Sequence, residues 1–128
     1  MVEYFHDKQE ERKTMQTWHK ELNFDNTDTL TNALFAEDSV FFDIETTGFS
    51  PANTSLYLIG CARRKGNLIC IDQFFADTPD EERLILAAFL ELLKPYRTLI
   101  TFNGLGFDIP YLTAKCQTYG MPAPFLEF

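Results

Sequence analysis

The stretch VFFDIETTGFSP, Val40–Pro51, decides the fold. Val40, Phe41, Phe42 and Ile44 favour an extended chain, and Thr47, Gly48 and Pro51 then break it. Two acids, Asp43 and Glu45, interrupt the apolar run with one residue between them. On a strand, residues i and i+2 share a face. Asp43 and Glu45 therefore point the same way, with Cα atoms roughly 7 Å apart, while Phe42 and Ile44 point toward a core. Two like charges on a covered sheet face repel each other and are costly to bury unpaired. Basic partners, protonation or a divalent cation would compensate them. The plain alternative is an edge strand whose acids face water, and the apolar flanks argue against it.

Working outward, SLYLIGCAR and NLICIDQFF read as two further strands joined by a tight hairpin at Lys65-Gly66-Asn67. A helix starts at Thr78, Pro79 and Glu81, in the pattern of a capping box. Its pairs Leu84/Ile85, Ala88/Phe89 and Leu92/Leu93 make one buried stripe, and Pro95 ends it. TLITF, Thr98–Phe102, is a short strand broken by Asn103-Gly104-Leu105-Gly106. A second helix is expected from about Asp108 to Tyr119, stopped by Gly120. The expected class is α/β: a mixed sheet made of a three-strand antiparallel meander, followed by helix, strand and helix.

Residues 1–38 carry nine acids against four bases and little patterning. They read as an N-terminal extension, helical in part around KTMQTWHKEL, with the folded domain at 39–128. The net charge of −8 over 128 residues argues against a general polyanion binder. It leaves nucleic acid open as a substrate, because bound divalent metals reverse the field in an acidic pocket. No apolar run is long enough to span a membrane, and no signal-peptide core is present. Cys61, Cys70 and Cys116 lack metal-type spacing and read as free thiols, so a reducing, cytoplasmic compartment is expected. Arg63-Arg64-Lys65 is the one basic cluster, either a solvated turn or a phosphate contact.

Asp108 adds a third carboxylate just past a strand end. Taken alone it reads as a helix cap. With Asp43 and Glu45 it offers an oxygen-rich cluster of the kind that suits Mg²⁺ or Mn²⁺. FDIETTG resembles the first motif of the 3′–5′ exonucleases of ribonuclease-H-like fold, named for their Asp-Glu-Asp-Asp metal ligands, and FNGLGFDIPYL resembles their second. The resemblance covers roughly Ser39–Tyr119. It implies that Asp43, Glu45 and Asp108 are catalytic and hold two metal ions for phosphodiester hydrolysis. It also implies that Thr46, Thr47, Asn103, Leu105 and Phe107 meet a single-stranded 3′ end of nucleic acid.

The family's third motif, a His or Tyr base followed by the fourth ligand Asp, has no match here. After Asp108 the only acid is Glu127, and His6 and His19 lie far upstream. The chain is therefore expected to lack the C-terminal part of the fold and to self-associate through the surface left open. The competing reading is a catalytically inactive relative that binds nucleic acid or a protein partner. An actin-like ATPase is disfavoured, because no second glycine-rich phosphate loop is present.

Overall fold

The computed structural model describes residues 15–23 and 29–128. Five strands form one mixed sheet: β1 (Gln16–Asn23), β2 (Ser39–Thr46), β3 (Leu56–Lys65), β4 (Leu68–Phe75) and β5 (Thr98–Ile100), in the spatial order β1-β4-β3-β2-β5. The meander β2-β3-β4 is antiparallel, and β5 joins β2 in parallel. Among the described residues, three α-helices accompany the sheet: α1 (Thr29–Leu34), α2 (Glu82–Leu93) and α3 (Ile109–Tyr119). Among the described residues, no helix is long and apolar enough to cross a membrane.

The expected elements form for the expected local reasons. Gly66, at φ +62°, makes the two-residue turn between β3 and β4, a conformation that suits glycine. Gly120, at φ +67°, ends α3, and the amide of Met121 reaches back to the Cys116 carbonyl at 2.9 Å. The start of α2 differs in detail from a full capping box. Glu81 accepts the Asp77 amide at 2.9 Å, whereas the Thr78 hydroxyl is buried without a partner.

β2 alternates as its sequence demands. Val40, Phe42 and Ile44 are buried, and Phe41, Asp43 and Glu45 are exposed. The buried residues meet α2, whose Ile85, Leu86, Phe89 and Leu93 lie in the core; the Phe42 and Phe89 rings approach to 5.3 Å. Burying each such side chain contributes about 1.5–3 kcal/mol. Around β2 the opposite face of the sheet carries an open trough of about 480 Å³ lined by Phe41, Asp43, Glu45, Leu58, Ile71 and Phe102, among others. The acids thus stand on an open face, and the cost of burial expected for them does not arise.

The N-terminal segment departs from its expected role. Residues 16–23, read as part of an appendage and partly helical, form the edge strand β1 antiparallel to β4, with Trp18 buried. Residues 1–14 and 24–28 of the expected extension, including Lys13 and Thr14 of the supposed helix, lie outside the described residues. The basic cluster also dissolves. Arg63 pairs with Asp72 at 3.0 Å, and Arg64 bonds Asn32, Gly66 and Phe35. Adjacent strand residues point to opposite faces, so these cations do not act together.

Candidate functional site

Asp43 and Glu45 project from the end of β2 next to the bulge between Glu45 and Thr46. Asp43 stands opposite Gly60, which has no side chain to cover it, and Glu45 stands opposite Leu58. Among the described residues, neither acid forms an ion pair.

The third acid arrives by an unusual backbone. After β5, Gly104–Asp108 winds as a π-helical turn that packs against β2 and runs directly into α3. Such wide turns recur at functional sites. Gly104 is required by close approach, because a Cβ there would lie 2.0 Å from Thr101 Cγ2. The turn buries Asp108 to 5% exposure, and its Oδ2 has no hydrogen-bond partner. Burial, then the charge of Asp43, then that of Glu45 push the Asp108 carboxyl above its ordinary value. Thr101 Oγ1 is close enough to soften this rise but, like Asp108 Oδ2, is buried without a well-formed hydrogen bond. The three expected carboxylates therefore act on one another across β2 and the π turn.

The other expected site residues have mixed placements. Thr46 Oγ1 donates to the Gly48 carbonyl at 2.7 Å, and Thr47 Oγ1 accepts the Ser55 amide at 2.8 Å. Both hydroxyls brace the loop that follows β2. Leu105 is exposed on the π turn, and Asn103 is exposed just before it. Phe107 is half-buried in an aromatic file, 6.1 Å from the Phe49 ring and 5.3 Å from that of Tyr111. Sequence reasoning passed over Phe49 and Phe102, which are almost fully exposed. Phe102 lines the trough beside Asp43 and Glu45. The signal for both was an aromatic directly flanking a motif glycine or asparagine.

A buried network supports this loop from behind. Glu82 accepts the Leu56 amide at 2.6 Å, Lys115 Nζ at 3.0 Å and the Tyr119 hydroxyl. Lys115 Nζ also donates to the Thr54 carbonyl at 2.7 Å, and the Thr54 and Tyr111 hydroxyls bond at 2.8 Å. Burial and the Glu82 carboxylate push the Tyr119 phenol up to about 12. α2 and α3 thereby pin residues 54–56, which in turn hold Thr47 at the end of β2.

Three oxygen-donor side chains, one of them buried with an unpartnered oxygen and none with a counter-charge among the described residues, fit a divalent metal. Comparisons with known proteins identify the family and the fold. A family model described as the RNase_H superfamily matches residues 40–128. The chain is 29% identical over 92 residues to the DNA polymerase of Pyrococcus glycovorans, covering 65% of this chain and 12% of that protein. It is 35% identical over 46 residues to DNA polymerase 1 of Aeropyrum pernix, covering 36% of this chain and 5% of that protein. The family B DNA polymerase from the hyperthermophilic archaeon Pyrobaculum calidifontis superposes with a TM-score of 0.56 at 21% identity, over 66% of this chain and 11% of the polymerase. That likeness shows the fold. The chain spans only a small fraction of each of these relatives.

Proposed function

Since this chain belongs to the RNase_H superfamily, we propose that it is a metal-dependent 3′–5′ exonuclease-like domain acting on phosphodiester bonds. The observation that carries this reading is Asp108, an acid buried with an unpartnered oxygen while the charges of Asp43 and Glu45 repel it. A fold retains such a group only where something else satisfies it. Asp43, Glu45 and Asp108 would together hold Mg²⁺ or Mn²⁺. When bound, the ions would supply water activation and charge neutralisation at the scissile phosphate.

The remaining residues orient the substrate. The open trough gives a nucleic-acid strand access to Asp43 and Glu45. Exposed Phe102, Leu105 and Phe49 offer apolar surface on which bases stack without regard to sequence. Thr46, Thr47 and Asn103 border the same end of β2, where they would meet the terminal sugar.

One observation favours a second reading, a domain that binds without turnover. The tyrosines that follow Asp108 are engaged elsewhere, Tyr111 with Thr54 and Tyr119 with Glu82. Neither is free to serve as a general base. A single assay separates the readings: Mn²⁺-supported shortening of a 5′-labelled single-stranded oligonucleotide by this chain and by Asp43→Ala. Ladder formation lost in the variant supports the nuclease. Metal-dependent binding without shortening supports the binding domain, and neither binding nor shortening rejects both.

A further inference from the structure

A second group of donor atoms gathers on the sheet face opposite Asp43. In the register of β1 and β4, His19 pairs with Asp72 and Glu21 with Cys70. Residues directly opposite, and those two apart on a strand, share a face. All four side chains therefore belong to one patch. His19 Nδ1 lies 2.5 Å from Asp72 Oδ1, and His19 Nε2 lies 3.2 Å from Glu21 Oε2. Ligand atoms of His19, Glu21 and Cys70 all fall within 4.8 Å of one another. The second oxygen of Asp72 accepts Arg63 Nε at 3.0 Å, and Arg63 Nη1 bonds the Tyr96 hydroxyl at 3.4 Å.

We propose that His19 Nε2, the Glu21 carboxylate and Cys70 Sγ form a site for a divalent ion of the zinc class, which clips the edge strand β1 to β4. The donor set separates this site chemically from the carboxylates of Asp43, Glu45 and Asp108. One imidazole, one thiolate and one carboxylate suit Zn²⁺, whereas an all-oxygen cluster suits Mg²⁺ or Mn²⁺.

The surroundings supply what such a site needs. A metal-bound histidine commonly gives its other ring N–H to a carboxylate, which fixes the tautomer and the ring plane. Asp72 meets Nδ1 in this way, and Nε2 faces Glu21, giving up its proton when an ion binds there. Asp72 keeps Arg63 as its own counter-charge, so the Glu21 carboxylate and a Cys70 thiolate remain to neutralise the two charges of the ion.

Access is open from one side only. The His19 and Glu21 side chains are 40% and 51% exposed, whereas Cys70 is 1% exposed beneath them. An ion enters from solvent and retains a fourth position for water. Zinc ligands lie about 2.0–2.3 Å from the metal. The His19–Glu21 spacing of 3.2 Å matches that requirement, and closure on Cys70 needs a small rotation of the exposed side chains.

A simple ion pair between His19 and its two carboxylates accounts for the same nitrogen–oxygen distances but gives Cys70 no role. The sulfur therefore decides between the two arrangements. The test is a Co²⁺ titration of the chelator-treated full chain, following thiolate-to-cobalt absorption in the near ultraviolet, with Zn²⁺ thermal shifts alongside. The expected result is a thiolate band that survives Asp43→Ala, disappears in Cys70→Ser and needs about tenfold or more Co²⁺ in Glu21→Ala. Glu21 is exposed, so that variant keeps its fold whatever becomes of Cys70→Ser. A folded protein with no thiolate band, a band that persists in Cys70→Ser, or unchanged affinity in Glu21→Ala overturns the proposal.

Discussion

Glu82 and Asp108 are buried to nearly the same extent, at 4% and 5% exposure, yet the fold treats them in opposite ways. Glu82 receives the Lys115 ammonium, the Leu56 amide and the Tyr119 hydroxyl. Asp108 receives two neighbouring negative charges and keeps an oxygen without a partner. A buried acid with both oxygens partnered belongs to the scaffold. A buried acid left repelled and orphaned marks a place where a ligand completes the chemistry. The two are also coupled, because the satisfied network fixes the loop at whose root Asp43 and Glu45 stand.

The largest effect is expected from breaking the satisfied cluster. Lys115→Met leaves the Glu82 carboxylate buried without its cation, and urea unfolding should register a loss of about 3–5 kcal/mol. A loss below about 1 kcal/mol would mean that water reaches Glu82, erasing the contrast with Asp108. Next comes Gly104→Ala, which forces a methyl against Thr101 Cγ2 and distorts the turn that delivers Asp108. The expected cost is about 1–3 kcal/mol. Adding Thr101→Ala removes both Cγ2 and Oγ1 from the contact, and failure to recover any stability would show that crowding is not the cause.

A smaller effect, of opposite sign, is expected at Asp108. Its carboxyl is raised above 3.8 in the folded chain, so folding holds that proton more tightly than the unfolded chain does. The resulting stability is present at low pH and is lost as pH rises through the raised value. Without metal, Asp108→Asn should therefore melt higher than wild type at pH 7, on the order of 3 °C. The gap should close as pH falls toward about 4. A variant that melts lower at pH 7 would show that Asp108 is satisfied after all. The smallest stability change belongs to the exposed rim. Phe49→Ala should alter unfolding by no more than about 0.5 kcal/mol. It should nevertheless weaken binding of a single-stranded oligonucleotide by about 1–3 kcal/mol, and unchanged affinity in fluorescence anisotropy would remove Phe49 from the interface.

Much of this was legible because it is local. The alternation of β2, the Gly66-Asn67 hairpin, the stripe of α2 and the Gly120 stop each follow from neighbouring residues, and all stand in the structure. The same locality let FDIETTG and FNGLGFD point to three acids that do converge. What stayed hidden depends on contacts distant in sequence. QTWHKELN is too polar to declare itself a strand, and only its pairing with β4, some fifty residues away, makes it one. The exposure of Asp43 and Glu45 was misjudged because the sequence of a strand does not reveal what covers its other face. For Arg63 and Arg64 the information was available, since adjacent strand residues diverge, and the basic tripeptide should not have been read as one patch.

The most direct test of the account is a Mn²⁺ titration monitored by thermal unfolding at pH 7, comparing wild type with Asp108→Asn. Wild type should rise with metal, reaching about 2.7 kcal/mol of stabilisation at a hundredfold excess over the dissociation constant. Asp108→Asn should begin higher and respond little. An equal rise in both proteins, or no rise in wild type, would contradict the claim that Asp43, Glu45 and Asp108 share one metal site.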